Sequence, residues 1–336
     1  MKKLYVLLLI FLLVGCGKDK DIKLYETYDD EYYKIYTPYK ERVGTYFLKT
    51  TNNINLEEVE NMLMDLSKTY FDKNKLYYME GQYLDNDFLK ELLESSNDFK
   101  EITISNNKVK PKYITGIYEQ NYLNSEGKLN GISLGIVLNP YQTYINSSNI
   151  VYYKNVDIKE MVDNVNDKME FILSKVREIE ELKNIKIMVG LFIQESPNST
   201  LPGGYKYYGI TADNKIDFKE VNYKYYDLDK ISEIDSNNYE AYISLKDELN
   251  KLLPNIYVSG YALYREEEIN KMTINITYNG ISRSTILYIN QMISEEVIPN
   301  FSSNINIKVY IKNNNRIMSM VFKEKNNVKS TIYLVD

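Results

Sequence analysis

The spacing of apolar residues along the chain changes period several times, and each change marks an element. Leu4 to Leu13 is an almost unbroken apolar run behind Lys2 and Lys3. About ten residues is too short to span a bilayer as an ordinary transmembrane helix, and with its basic flank the run has the length of a signal peptide. The following stretch, "GKDKDIKLYETYDD", is polar and charged and reads as a tether. From Tyr32 the pattern becomes globular. Leu56, Val59, Leu63 and Leu66 recur at helical spacing with Met62 beside them. Asn55 is placed to cap that helix, and Glu57 and Glu58 suit its first turn. Phe88 to Leu93 predicts another short helix.

A strand–helix–strand–strand pattern then occurs twice. "GISLGIVLN" (131–139) reads as a buried strand. Asp157, with Glu160 three residues on, opens a helix whose apolar stripe is Ile158, Met161/Val162, Val165, Met169, Ile172, Val176 and Ile179. "NIKIMVGLFIQ" (184–194) is the next strand, and residues 205–210 another. The second round begins with "MTINITY" (272–278). A helix striped at Ile286, Ile289, Ile293 and Val297 follows, then the strands "NIKVYI" (306–311) and "IMSMVFK" (317–323). Between the rounds, Tyr239, Tyr242/Ile243, Leu249 and Leu253 mark a helix ended by Pro254. The expected class is α+β, as two related strand–helix–strand–strand units of mostly antiparallel sheet covered by long helices. The expected division is a leader at 1–15, a tether at 16–30, a first unit at 31–215 and a second at 216–336.

Composition narrows the chemistry. The 336 residues contain no His, no Trp and a single Cys, Cys16, and carry a formal net charge of −6. Without histidine there is no Ser-His-Asp triad, no Cys-His pair and no His-liganded zinc or iron. A chain this acidic is a poor partner for nucleic acid, whose phosphates need clusters of Lys and Arg. The 34 tyrosines have two readings: a contact surface for sugars or peptides, or an AT-rich coding bias that raises Tyr, Asn, Lys and Ile together.

The acidic runs at 29–31, 178–181 and 266–268 read as solvated helix ends and a hairpin turn. A glycosidase would need two carboxylates converging across a cleft, which sequence cannot show. "SPNSTLPGGYKYYG" (196–209) lacks phosphate-loop spacing and reads as a hairpin connection, and no calcium-loop spacing is present. The expectation is therefore no catalytic residue, no metal and no cofactor. A carboxylate-using, cell-wall-directed hydrolase is the alternative.

The apolar run ends in Leu13-Val14-Gly15-Cys16. This is a lipobox: a small residue before a cysteine whose thiol receives diacylglycerol. Two acyl chains give stable anchoring where a single chain does not, at about 0.8 kcal/mol per buried methylene. Cys16 is thus the expected lipidation site, membrane lipid its partner, and the extracellular face of the cell membrane its location.

Three stretches bring in a resemblance. "LSKTYFDKNKLYYMEGQYLD" (66–85), "NGISLGIVLNPYQTY" (130–144) and "ILSKVREIEELKNIKIMVGLFIQESPNSTLPGGY" (172–205) resemble blocks of the CamS family of Gram-positive surface lipoproteins, the sex-pheromone precursors. The resemblance implies no enzymatic activity. It implies that the tail of the signal peptide is released as a mating pheromone, here Leu9, Ile10, Phe11, Leu12, Leu13, Val14 and Gly15. Ile10, Phe11 and Leu13 match the family's pheromone pattern, whereas Leu9, Val14 and Gly15 stand where it has small residues. The folded domain is then expected to bind a surface ligand or protein partner that its sequence does not name.

Overall fold

Helix formation follows the predicted caps. In the computed structural model, which describes residues 32–36, 44–50, 54–280 and 282–335, the Asn55 side chain accepts a hydrogen bond from the backbone N–H of Glu58 and opens helix α1, Leu56–Ser67. Asp85 caps α2, Asn86–Ser96, in the same way through Phe88. Asp157 caps α3, Ile158–Val176, through Glu160. Asp235 caps α4, Ser236–Leu252, and Ser282 caps α5, Arg283–Met292, which continues as a π-helical turn over Ile293–Val297. Each cap satisfies one of the N–H groups that a helix start leaves without an internal partner.

The strands form two large sheets. The first contains β1 (Lys34–Ile35), β2 (Thr45–Phe47), β3 (Tyr77–Glu80), β6 (Ile114–Leu123), β7 (Leu129–Leu138), β10 (Lys186–Ile193), β11 (Gly204–Thr211) and β12 (Lys219–Glu220). Two small hairpins, β4 (Ile102–Ile104) with β5 (Asn107–Val109) and β8 (Tyr141–Ile145) with β9 (Val151–Asn155), stand apart from it. The second sheet runs in chain order through β13 (Tyr223–Asp227), β14 (Tyr257–Arg265), β15 (Glu268–Thr277), β16 (Asn306–Asn313), β17 (Arg316–Lys323) and β18 (Ser330–Leu334). The expected division at 215/216 precedes the point where the chain changes sheet, between Glu220 and Tyr223.

The repetition goes further than the sequence pattern suggested. The order β3-β6-β7-β10-β11-β12 in the first sheet matches β13-β14-β15-β16-β17-β18 in the second. The pair joined through α3, β7 with β10, is parallel, as is the pair joined through α5, β15 with β16. The other neighbours in both series are antiparallel. A crossover through a helix returns the chain in the same direction, and a short turn reverses it. Identical connections therefore give identical pairing. α2 and α4 occupy corresponding places before the second strand of each series.

Packing follows from the stripes. Met161, Val165, Met169, Ile172 and Val176 of α3 join Leu89 and Leu93 of α2 against Ile132, Leu134, Ile136 and Ile187 of the first sheet. Ile179 lies beyond the end of α3 and packs at the edge of that cluster. Ile158 departs from the expected core stripe and is 39% exposed. In the second sheet, Ile286, Ile289, Ile293 and Val297 pack with Tyr242, Leu245 and Leu249 of α4 against Ile274, Ile276, Val309 and Ile311.

Helix α1 has a different place. Val59, Met62, Leu63 and Leu66 pack against Tyr118, Tyr122, Val137, Met188 and Tyr205 on the face of the first sheet opposite α2 and α3. Tyr225 and Leu263 of the second sheet join the same cluster. The layers therefore run helices, sheet, α1, sheet, helices. Met169→Asp and Ile289→Asp each place an unpaired charge in one of the two helix–sheet cores, at a cost of several kcal/mol. Each is expected to lower the melting temperature, and unchanged thermal unfolding in both variants would contradict the layering.

Candidate functional site

Two arrangements at the junction of the sheets determine what the folded domain can do. The first is an ion pair between a buried carboxylate and a half-buried ammonium. Glu58 of α1 is nearly buried, and its carboxylate lies 3.0 and 3.3 Å from Lys271 Nζ on β15. Tyr225 Oη on β13 donates to the same carboxylate at 2.5 Å. Burial and the adjacent Glu58 charge push the Tyr225 phenol far above its ordinary range, so it stays a donor. Tyr261 crosses Tyr225 edge to face at 5.5 Å, and Lys271 Nζ lies 5.8 Å from the Tyr225 ring. Arg265 on β14 reaches Asp65 one helical turn pair further along α1, at 3.1 Å. These contacts fix how the second sheet meets α1.

The second arrangement is an open hollow of about 770 Å³ on the other side of the junction. Lys206 and Tyr207 of β11, Tyr223, Lys224 and Tyr226 of β13, Tyr264 of β14, Ile158 and Ile234 line it, with Glu220, Glu266 and Glu267. Its volume falls in the ordinary range for ligand sites.

Local irregularities build this hollow. Along β11 the pairing to β10 jumps from Leu191–Tyr207 to Phe192–Tyr205, leaving Lys206 as an extra residue. Such a β-bulge shifts the alternation and re-aims side chains. Tyr205 stays under α1, its hydroxyl donating to Val59 O at 3.0 Å, whereas Tyr207 packs with the cluster on the α3 side. On β13 ordinary alternation suffices. Tyr225 faces α1, while Tyr226 packs against the core of the second sheet and meets Tyr264 edge to face at 5.2 Å. Lys224 Nζ sits 4.7 Å from the Tyr226 ring. The β14–β15 hairpin turns on Glu266 and Glu267, both at positive φ (48° and 71°), where glycine or asparagine is the usual choice. This bears out the hairpin reading of that acidic run.

Burial depresses the Lys206 ammonium below its ordinary value; the Lys224 charge adds to the depression, and Glu195 opposes it. Among the described residues Lys206 makes no salt bridge. The hollow is thus lined by two cations, four tyrosines and two exposed isoleucines.

The other buried carboxylate, Glu119, is sealed. It accepts backbone N–H groups of Gln82, Tyr83 and Leu84 at 2.9 to 3.3 Å. Burial raises its pKa, and those N–H bonds pull it back. Glu119 shares strand parity with Ile117, on the α2 and α3 side, whereas Glu58 lies on the α1 side. The two buried carboxylates therefore sit on opposite faces of the first sheet. Among the described residues no cluster of three Asp, Glu, Cys or His side chains could hold a metal ion.

Known proteins share this architecture. The family model described as CamS sex pheromone cAM373 precursor matches residues 39–329. The chain belongs to the CamS family. The crystal structure of a sex pheromone precursor from Lactobacillus salivarius subsp. salivarius UCC118 superposes with a TM-score of 0.76 at 20% identity, covering 94% of this chain and 99% of that one. The C-terminal domain of the sex pheromone staph-cAM373 precursor from Staphylococcus aureus gives 0.66 at 19% identity, covering 85% and 98%. No curated protein sequence matches. Of the residues singled out in the sequence, Cys16 and Leu9–Gly15 lie outside the described residues. The Ser196–Gly209 stretch does connect antiparallel neighbours, β10 and β11. Lys206, Lys224 and Glu58, which build the CamS-fold junction here, carry no local sequence motif.

Removing one partner from a buried pair costs more than removing both, because the survivor keeps its desolvation penalty. Lys271→Met, which leaves Glu58 charged beside Tyr225, is expected to cost about 1–3 kcal/mol. The double variant Glu58→Gln/Lys271→Met should recover much of that loss. Chemical denaturation of the single and double variants checks this; a double variant no more stable than Lys271→Met would mean the pair is not coupled.

Proposed function

We propose that this CamS-family protein is a membrane-anchored surface lipoprotein with three parts: a leader at residues 1–15, a diacylglycerol-modified Cys16, and a folded binding module that performs no catalysis. The observation carrying the reading is Leu13-Val14-Gly15-Cys16 at the end of a ten-residue apolar run behind two lysines. The chain's only cysteine stands where lipid attachment requires it. The family's description as a pheromone precursor supports a second product, the uncharged peptide Leu9–Gly15, cut from the discarded leader. The binding reading of the folded part is supported by how the buried carboxylates are used. Glu58 is neutralised by Lys271 and Tyr225, and Glu119 is occupied by three backbone donors. A glycosidase needs two carboxyl groups facing each other at roughly 5–9.5 Å, and these two are separated by a sheet.

Cys16→Ala is expected to abolish metabolic acyl labelling and to release the protein from the membrane fraction. Label persisting at the N-terminus of this variant would refute the anchor. Mass spectrometry of spent medium should find the heptapeptide Leu9–Gly15. It should act weakly on the responder of other family pheromones, because Leu9, Val14 and Gly15 change side-chain shape, and a methylene in a hydrophobic pocket is worth about 1–3 kcal/mol. Finding only fragments that retain Lys2 and Lys3, beside normal mature lipoprotein, would leave the anchor standing and remove the pheromone reading.

A further inference from the structure

Three features of the hollow at the sheet junction converge on one ligand chemistry. The first is an edge. β13 is the terminal strand of the second sheet and pairs with β14 alone. The backbone groups along its other side therefore have no strand partner, and Tyr223, Lys224 and Tyr226 of this strand line the hollow. An extended peptide adds its own main chain to such an edge, leaving alternate side chains to fill adjacent pockets. Neither a sugar nor a fatty chain has the regular N–H and C=O groups to do so.

The second feature is the wall. Ile158 and Ile234 are 39% and 48% exposed, and the partly buried Tyr207 and Tyr226 stand with them. Exposed isoleucines are unremarkable singly. Here two of them share one concavity with the partly buried Tyr207 and Tyr226, beside an open strand edge. Apolar side chains on an added strand would bury this surface.

The third feature is charge. The β-bulge delivers Lys206 to the hollow without an ion-pair partner among the described residues. Lys224 lines the same hollow, and Glu195 and Lys224 act on Lys206 in opposite senses. A carboxylate held by both lysines would pair the two cations that line the hollow and replace the hydration that burial removes from Lys206. Glu220, Glu266 and Glu267 also line the hollow and disfavour a polyanion.

We propose that the hollow binds a short, extended, apolar peptide by strand addition to β13, with the peptide's C-terminal carboxylate held by Lys206 and Lys224. This rests on the binding-module reading of the folded domain and adds the class of ligand. Extended, seven residues span at most about 25 Å, so the C-terminal half would lie in the hollow and the rest along the strand edge.

The test uses the detergent-solubilised full chain and a synthetic peptide, Leu-Ile-Phe-Leu-Leu-Val-Gly, as an apolar free acid. Its C-terminal amide controls for detergent partitioning, and trigalacturonate serves as an acidic ligand with no apolar side chains. The free acid should bind saturably and the amide roughly tenfold more weakly, the loss typical of a charge-assisted hydrogen bond. Lys206→Gln and Lys224→Gln should each weaken the acid and bring the acid-to-amide ratio toward one, while Lys108→Gln on the distant β4–β5 hairpin changes nothing. Equal binding of acid and amide would overturn the proposal, as would an affinity indifferent to both lysine variants. Lys206-dependent binding of trigalacturonate without the peptide would sink the peptide while keeping the binding-module reading. Saturable binding of neither probe would remove both readings for this hollow. Because the peptide is synthetic, each outcome is independent of whether the leader is processed in cells.

Discussion

Helix α1 is buried on two sides, and the rest of the architecture is arranged around that constraint. Toward the first sheet it presents Val59, Met62, Leu63 and Leu66. Complete burial of such side chains is worth about 1.5–3 kcal/mol each. Toward the second sheet it presents Glu58 and Asp65, met by Lys271, Tyr225 and Arg265. A buried pair adds little net stability, because desolvation cancels most of the attraction. It is severe about geometry, however, since any displacement leaves a charge unpaired. α1 therefore belongs energetically to the first sheet and sets where the second one docks. A hydrophobic α1–sheet contact of the same area would tolerate sliding; the carboxylate held at once by an ammonium and a phenol does not.

The duplicated topology explains why the fold class was readable. α3 and α5 each carry one apolar stripe, and each joins two parallel strands. Asn55 and Asp157 are caps by residue type, and both act as caps. β7 and β10 are continuous apolar runs buried on both faces, as central strands must be. The strands that escaped are those whose polarity argues against a sheet. β6, "ITGIYEQNYL", is buried along its whole length although Thr115, Glu119, Gln120 and Asn121 interrupt its apolar pattern. Many of its polar groups find partners at long range: Thr115 with Gln194, Gln120 with Glu60 O, Asn121 with Glu80 O, and Glu119 with residues 82–84. Those partners are 35 to 79 residues away in sequence, so nothing local signals that the strand can be buried.

Tyrosine tells a similar story. Its abundance left open whether it served a surface or followed coding bias. Many of the rings are internal. Tyr33, Tyr118, Tyr122 and Tyr205 are fully or almost fully buried, with Tyr33 donating to Phe71 O and Tyr205 to Val59 O. In a chain without tryptophan, tyrosine supplies the large core side chain, and each hydroxyl must then find an acceptor. That requirement threads hydrogen bonds through the core around α1. Of the tyrosines lining the hollow, Tyr264 follows the same rule, its buried ring packed on Tyr226 and its hydroxyl donating to Asp235.

The hollow itself could not be read from the chain because none of its determinants is local. Lys206 would share a face with Tyr208 in a regular strand; the inserted residue alone separates Tyr205 from Tyr207 and turns Lys206 outward. Ile158 fits the α3 stripe by period, but it sits in the first turn, past the edge of the sheet that covers the later positions. Lys224 and Tyr226 gain their setting only because the chain leaves the first sheet at Glu220 and starts a new one at Tyr223. That abrupt change of sheet leaves β13 as an edge strand, while Tyr225 on the same strand turns to Glu58 of α1. One strand thus serves both arrangements: Tyr225 joins the Glu58–Lys271 contact, and Lys224 and Tyr226 line the hollow.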